Sequence, residues 1–195
     1  MIKAAFCDDD LSVLNELHVL MDNYRVERNQ EITYTAFHSP LELIAQIEKG
    51  MRFDILFLDV LMPGVNGIET AQEIREYDSA MKIIFLTSSA EYAVESYTVN
   101  AYFYQLKPIW PESFYRLMDS VLKECAQEQR RSLILRCKSG ITQISLDRLM
   151  YCEVQGRTLV FHMQNDEQLE SVGSMDDLSR QLAKYNNFLR AHRSY

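Results

Sequence analysis

Short apolar runs of strand length alternate with amphipathic helical patterns through the first 120 residues of the chain. Two of these runs, at 53–58 and 83–86, are almost unbroken stretches of apolar residues. Runs of this kind are typical of parallel strands that helices cover on both faces of a sheet. The pattern therefore predicts an open, doubly wound α/β domain of five strands and five helices. The predicted strands are residues 2–7, 32–37, 53–58, 82–86 and 101–106.

The predicted helices carry recognisable start and stop signals. In the segment 39–42 (Ser-Pro-Leu-Glu), a serine N-cap precedes a proline at the first helical position and a capping-box acid, and Gly50 ends that helix. Residues 90–96 are predicted as the fourth helix, and the fifth begins at Pro111.

After residue 130 the pattern changes to short β-branched or aromatic runs separated by turn residues. A single helix follows these runs, with Ser174 as its N-cap. The predicted strands of this β-rich unit are residues 133–138, 141–145, 149–154 and 159–163. The chain is thus predicted to comprise an α/β domain at 1–125, a linker at 126–132 and a small β-rich unit at 133–195.

Composition limits the classes of protein to which the chain can belong. With 195 residues, 47% of them hydrophobic, it can bury two small cores. No apolar run approaches the ~20 residues of a membrane-spanning helix, and the spacing of the four cysteines fits neither a zinc ribbon nor a disulfide framework. We therefore expect a soluble, cytoplasmic protein with no membrane partner. The net charge of -8 arises in residues 1–122, whereas 123–195 are slightly basic, which is compatible with nucleic acid.

Polar side chains follow the predicted strands of the first domain at the points where the strands end. Asp8 and Asp9 follow the first strand, Asp59 the third, Thr87 the fourth and Lys107 the fifth. Ligands bind beyond the carboxyl ends of the strands in such a sheet, so we expect these side chains to lie together. Each of them taken singly is also an ordinary turn or cap residue, but five at matching strand ends favour one site.

The chemistry of these five side chains indicates phosphoryl transfer. Three aspartates would repel one another without a counter-ion, and hard oxygen donors in a small site suit Mg²⁺. Thr87 adds a hydroxyl and Lys107 an ammonium group. A carboxylate beside such groups is equipped to accept a phosphoryl group, because the transfer depends mainly on positioning and charge neutralisation. The sequence thus predicts Asp59 as the acceptor and Mg²⁺ as the cofactor.

Over about residues 1–125, the chain resembles a two-component receiver domain, with the family's motifs in order and at their usual spacing. The matching segments are residues 7–10 (CDDD), 54–64 (DILFLDVLMPG), 66–67 (NG), 85–87 (FLT) and 107–108 (KP). The resemblance implies a flavodoxin-like (βα)₅ fold and phosphorylation of Asp59 by a sensor histidine kinase. It implies Asp9 as a Mg²⁺ ligand, Asp8 as a ligand acting through water, and the Leu61 backbone carbonyl as the remaining protein ligand.

The resemblance also implies a conformational switch. Thr87 and Lys107 would bind the phosphoryl oxygens, and the aromatic residue at the position of Tyr104 moves inward in receivers when the threonine hydroxyl turns to the phosphate. A plain packing role for Tyr104 remains an alternative. Because Thr87 leads into the fourth helix and Tyr104 lies on the fifth strand, we expect phosphorylation to promote homodimerisation through the fourth helix, fifth strand and fifth helix.

The β-rich unit resembles the opening part of a LytTR-type DNA-binding domain, which inserts loop side chains into the major groove. The resemblance depends on residues 149–153 (LMYCE) and on residues 188–195, where the family reads F-x-R-x-H-R-S. It implies promoter DNA as a partner.

Three basic or imidazole side chains are candidates for contacting DNA. Arg157 lies in a turn where family members place a DNA-contacting side chain, although a solvated hairpin arginine is an alternative. His192 and Arg193 are further candidates, for which a structural role is equally open. The family's domain continues beyond the position of Tyr195, so we expect this unit to be incomplete and to bind DNA weakly.

The leading interpretation is a response regulator whose phosphorylation controls transcription, and not an enzyme for external substrates. A receiver that acts as a protein-interaction switch without sequence-specific DNA binding is the alternative. A haloacid-dehalogenase-type phosphohydrolase would also use an aspartyl nucleophile, but it needs a general acid two residues later, where this chain has Leu61. A nucleotide-binding domain would need a glycine-rich turn where three aspartates follow the first strand.

Overall fold

The computed structural model describes residues 1–137, 140–164, 167–185 and 187–191, apart from the side chains of 128–130. The chain divides into two compact units, Met1–Lys123 and Glu124–Tyr195. In the described residues, no helix is both long and apolar enough to span a bilayer. All four cysteines are free thiols.

The first unit is built on a five-stranded parallel sheet. The strands are β1 (Ile2–Cys7), β2 (Ile32–Phe37), β3 (Ile55–Leu58), β4 (Leu61–Met62), β5 (Val65–Asn66), β6 (Lys82–Thr87) and β7 (Phe103–Leu106). The helices are α1 (Leu11–Arg28), α2 (Pro40–Glu48), α3 (Gly67–Tyr77) and α4 (Pro111–Arg130), the last of which continues past Lys123. The order of the parallel sheet is β2-β1-β3-β6-β7, and a hairpin of two short strands, β4 and β5, follows β3.

This topology confirms the predicted flavodoxin-like fold. All four residues of β3 are buried, which explains why that stretch of sequence is uniformly apolar. From β1 the chain passes to β2 on one side of the sheet and then to β3 on the other. The resulting switch point lies between the ends of β1 and β3, where an open α/β sheet binds its ligand.

The predicted fourth helix at 90–96 is wrong. The chain instead forms two short 3-10 turns, Glu91–Ala93 and Glu95–Val99. Hydroxyl groups compete with helical hydrogen bonding here, because Ser96 Oγ donates to the Ala93 carbonyl and Thr98 Oγ1 donates to the Glu95 carbonyl, both at 2.7 Å. The β-branched valines and threonine of this segment further lower its helical propensity.

The second unit contains a five-stranded antiparallel sheet and, after it in the described residues, a helix. The elements are β8 (Ser132–Cys137), β9 (Gly140–Ser145), β10 (Leu149–Gln155), β11 (Thr158–Met163), β12 (Gln168–Val172) and α5 (Met175–Leu182). The strand order is β10-β11-β12-β8-β9, and the apolar face of the sheet packs against Leu178 of α5. Ser174 is the N-cap as predicted, since its Oγ accepts a hydrogen bond from Asp177 N at 3.1 Å.

The sequence analysis missed strand β12. Its residues are mostly polar, and only Leu169 and Ser171 turn toward the covered face of the sheet. The strand pairs with β11 along its whole length and with β8 at Ser171 and Cys137. It therefore joins two hairpins into one sheet, a tertiary role that a short polar segment does not reveal in sequence.

Candidate functional site

Three aspartates meet at the switch point of the parallel sheet. Asp8 follows β1 and Asp59 follows β3, and these neighbouring strands pair in register up to Cys7 and Leu58. Asp8 and Asp59 are buried, whereas Asp9 is exposed. One carboxylate oxygen from each aspartate lies within 4.8 Å of the others. The expected acidic cluster is therefore present.

Lys107 reaches into this cluster from the end of β7. Its backbone N–H donates to the Thr87 carbonyl at 2.9 Å, which continues the β6-β7 pairing and fixes the start of the side chain. The Nζ atom donates to Asp8 Oδ2 at 2.7 Å and to Asp59 Oδ2 at 2.8 Å. One ammonium group thus neutralises part of the charge of two buried carboxylates.

Burial and ion pairing act in opposite directions on these groups. Burial raises the pKa of Asp8, although the hydrogen bond from Lys107 acts against that rise. Burial alone would lower the pKa of Lys107, but its hydrogen bonds to Asp59 and Asp8 and the attraction of their charges together outweigh that effect, so its pKa is raised. The lysine consequently remains charged at neutral pH.

The second oxygen of Asp59 is held by the backbone that follows it. Its Oδ1 atom accepts hydrogen bonds from Val60 N at 2.7 Å and Leu61 N at 3.3 Å. Gly67 packs directly on this loop, because its N–H donates to the Val60 carbonyl at 2.9 Å and a Cβ at residue 67 would lie 2.1 Å from the Asp59 carbonyl oxygen. The sequence analysis quoted Gly67 only within the 66–67 motif and gave it no role of its own. The structure places it directly after Asn66, the N-cap of α3.

Thr87 and Tyr104 both contact Ser89. Thr87 is fully buried at the end of β6, and its Oγ1 accepts a long hydrogen bond of 3.4 Å from Ser89 N. The Tyr104 hydroxyl donates to the Ser89 carbonyl at 2.7 Å, and its ring packs 6.0 Å from that of Phe85. The two candidate switch residues therefore hold the same point of the chain, a connection that the sequence analysis did not foresee.

The donor set of the cluster fits a hard divalent cation. Asp8, Asp9 and Asp59 offer carboxylate oxygens, which Mg²⁺ prefers. Leu61 is the first residue of β4, and its backbone N–H contacts the Asp59 carboxylate. The three aspartates are the residues whose observed positions could hold the ion.

The candidate DNA-contacting residues belong to the second unit. Arg157 is exposed in the turn between β10 and β11, as the sequence analysis expected of a loop residue. His192 and Arg193 lie outside the described residues.

Comparison with known proteins agrees with this geometry. Residues 5–119 match the response regulator receiver domain family, and residues 139–195 match the LytTr DNA-binding domain family. The chain therefore belongs to the response regulators that combine a receiver domain with a LytTR DNA-binding domain, and not to a classical enzyme family. A sensor kinase is the partner that a receiver implies, and DNA is the partner that a LytTR domain implies.

Two relatives and one solved structure illustrate the likeness. The sensory transduction protein LytT of Oceanobacillus iheyensis is 31% identical over 73% of this chain and 60% of its own length. The transcriptional regulatory protein NatR of Bacillus subtilis is 25% identical over the whole chain and 81% of its own length. The solved structure of the response regulatory domain of mrkE from Klebsiella pneumoniae has a similar fold, with a TM-score of 0.58 and 23% sequence identity. The match covers 65% of this chain and 99% of that structure.

Proposed function

We propose that Asp59 accepts a phosphoryl group from a sensor histidine kinase, and that this phosphorylation controls dimerisation and DNA binding. The observation that carries the proposal is the position of Lys107 Nζ, 2.7 Å from Asp8 and 2.8 Å from Asp59, in a cluster with Asp9. We further propose that residues 1–125 are the receiver domain, 126–132 the linker and 133–195 the LytTR part.

In the proposed reaction, an Asp59 oxygen forms a bond to phosphorus as the N–P bond of the kinase's phosphohistidine breaks. The leaving imidazole takes a proton from solvent. Asp8, Asp9, Asp59 and the Leu61 carbonyl would hold Mg²⁺, which when bound supplies positive charge to the phosphoryl oxygens. The Lys107 ammonium and the Thr87 hydroxyl would bind the remaining phosphoryl oxygens.

Phosphorylation of Asp59 is testable with a small phosphodonor and Mg²⁺. We expect the intact mass of the wild-type chain to increase by one phosphoryl group, and the mass of Asp59→Asn to remain unchanged. Asp54→Asn is the matched control, since Asp54 precedes the same strand at its opposite end and bonds Lys3 N. Equal labelling of wild type and Asp59→Asn would contradict the assignment.

The switch proposal rests on the shared contact at Ser89. If the Thr87 hydroxyl turns to the phosphoryl group, its 3.4 Å hydrogen bond from Ser89 N is lost, and Tyr104 is free to move with the Ser89 carbonyl. The free energy that drives such a change is the difference between the interaction free energies of the phosphoryl group with the two conformations.

We expect phosphorylation to favour a dimer through the 3-10 segment (residues 89–100, which contain the two 3-10 turns), β7 and α4. Large apolar side chains are exposed here, among them Val94 and Tyr97 in the 3-10 segment and Trp110 directly before α4, at 78%, 84% and 65%. Sedimentation velocity of the full chain with beryllofluoride and Mg²⁺ should show a heavier species, and Tyr97→Ser should weaken it. Val26→Ser, an equally exposed position on α1, should leave it unchanged. A constant mass across the micromolar range would count against dimerisation.

Specific DNA binding is proposed to involve Arg157. If Arg157 contacts a base, we expect Arg157→Ala to weaken binding to the gene's own promoter by about 1–3 kcal/mol. If it contacts phosphate, we expect the slope of log affinity against log salt concentration to become shallower by about one. Arg180→Ala is the control, because Arg180 on α5 is already paired with Asp177. Binding of wild type and Arg157→Ala with identical affinity and salt dependence would exclude Arg157, and the absence of any promoter preference would favour the protein-interaction alternative.

A further inference from the structure

Arg75, in the last turn of α3, joins three separate parts of the first unit. Its Nε atom donates to the Val99 carbonyl at 2.8 Å, and its Nη2 atom donates to the Asn100 carbonyl at 3.2 Å. Its Nη1 atom donates to the carbonyls of Asp78 and Met81, at 3.0 and 2.8 Å. One guanidinium group therefore connects α3 to the start of β6 and to the end of the 3-10 segment.

The planar guanidinium group is the feature that makes this connection specific. Four backbone carbonyls are satisfied by donors in a fixed fork, which the single ammonium of a lysine cannot reproduce. Burial lowers the pKa of Arg75, but arginine remains charged at any physiological pH. Hydrogen bonds from a charged donor are the stronger kind, so the contact is a firm one.

The two ends of the 3-10 segment are held in different ways. At the near end, Ser89 is bound by Thr87 and Tyr104, the residues that would respond to phosphorylation. At the far end, Val99 and Asn100 are bound by Arg75. Between these ends the segment makes short-range hydrogen bonds of its own, such as those from Tyr97 N to the Val94 carbonyl and from Asn100 N to the Tyr97 carbonyl, and Tyr92 packs against the core.

Helix α3 also connects Arg75 to the acceptor site. Gly67, its first residue, packs on the Asp59 carbonyl and donates to the Val60 carbonyl. The helix is 11 residues long, which corresponds to about 16 Å of rigid backbone. The far end of the 3-10 segment is thus fixed relative to the acceptor loop.

We propose that Arg75 is a positioning residue of the phosphorylation switch, which holds residues 99 and 100 still so that a change at Ser89 reorients the segment between them. The proposal rests on the proposed role of Asp59. Without the guanidinium group, residues 99 and 100 are no longer held in place. A movement at Ser89 then causes local motion of the segment and does not reorient the exposed side chains Val94 and Tyr97.

The test is amide hydrogen exchange of residues 91–101 in the full chain, with and without beryllofluoride and Mg²⁺ as the probe. In wild type we expect the probe to change exchange in this segment several-fold. In Arg75→Met we expect residues 91–101 to exchange fast both with and without the probe, so that the probe no longer changes the exchange rate. We expect the rate at which a small donor phosphorylates Asp59 to stay within about twofold of wild type. Arg75→Lys should retain at most part of the difference.

Arg52→Met is the matched control. Arg52 also donates from Nη1 to two backbone carbonyls, those of Ile47 and Met51, at 2.9 and 3.0 Å, but it lies in the loop between α2 and β3. This variant loses arginine–carbonyl bonds in the same unit, and we expect it to keep the full probe-dependent difference.

The possible results separate this inference from the function on which it rests. A full probe-dependent difference in Arg75→Met, or in Arg75→Lys should the methionine variant not fold, would overturn the positioning role. Wild-type phosphorylation without any change at 91–101 would overturn it as well, while leaving Asp59 as the acceptor. Absence of phosphorylation in wild type would instead overturn the proposed function.

Discussion

Replacing Lys107 with methionine is expected to lower the free energy of unfolding by about 3 kcal/mol in the absence of divalent cations. Methionine keeps most of the apolar stem but removes the ammonium group. Among the described residues, this group is the cation that forms ion pairs with Asp8 and Asp59. Removing one partner of a buried ion pair leaves uncompensated charge and typically costs about 3–5 kcal/mol. Since a whole domain is stable by only about 5–15 kcal/mol, the effect is large.

Urea denaturation of the Lys107→Met chain, in EDTA and in Mg²⁺, measures this cost. Mg²⁺ should restore part of the lost stability, because an ion bound to the same carboxylates supplies positive charge and binds only the folded state. Lys49→Met, at the exposed end of α2, is the control and should change stability by less than about 0.5 kcal/mol. Equal stability of both variants would mean that Lys107 does not compensate the buried carboxylates.

Replacing Gly67 with alanine is expected to destabilise the chain by about 3 kcal/mol, although alanine is the better helix former. At an unconstrained helical position the same change would be favourable by up to about 1 kcal/mol. Here the new methyl group would lie 2.1 Å from the Asp59 carbonyl oxygen and 2.7 Å from Val60 Cα, both buried backbone atoms. The acceptor loop must move away, and overpacking of this kind costs about 1–3 kcal/mol and occasionally more.

The same displacement should slow phosphorylation, because it moves the Asp59 carboxylate relative to Lys107. A misplacement of about 1 Å in a reacting group can reduce a rate roughly a hundredfold. Gly173→Ala is the control, since its methyl group would meet a flexible Leu159 methyl at 3.2 Å. Denaturation and the rate of labelling by a small phosphodonor check the prediction, and a Gly67→Ala chain as stable and reactive as wild type would refute the close approach at this position.

The parallel sheet could be predicted closely because its strands are buried on both faces. The predicted strands 2–7 and 32–37 have the observed ends, and 53–58 and 101–106 are too long only at their first residues. The 3-10 segment could not be predicted, because its conformation depends on hydroxyl groups that bond carbonyls three residues earlier. Strand β12 was missed for a related reason, since its partners β11 and β8 decide its structure and its sequence is polar.

The acidic cluster was predictable because polar residues at strand ends stand out against apolar runs. What the sequence could not reveal is how the surrounding backbone holds these side chains. Arg75 looks like an ordinary basic residue at a helix end, yet its guanidinium group satisfies four carbonyls, two of which, those of Val99 and Asn100, are distant in the sequence. Ser89 likewise gave no signal, because its role lies in its backbone N–H and carbonyl.

The most direct test of the central claim is to identify the phosphorylated side chain chemically. The wild-type chain, labelled by a small phosphodonor with Mg²⁺, is treated with borohydride, which reduces an aspartyl phosphate to homoserine, and the peptides are sequenced by mass spectrometry. The arrangement of Lys107 around Asp59 predicts homoserine at position 59, and at neither of the neighbouring carboxylates, Asp8 and Asp9. Homoserine at position 8 or 9, or labelled protein with an unmodified Asp59, would contradict the account.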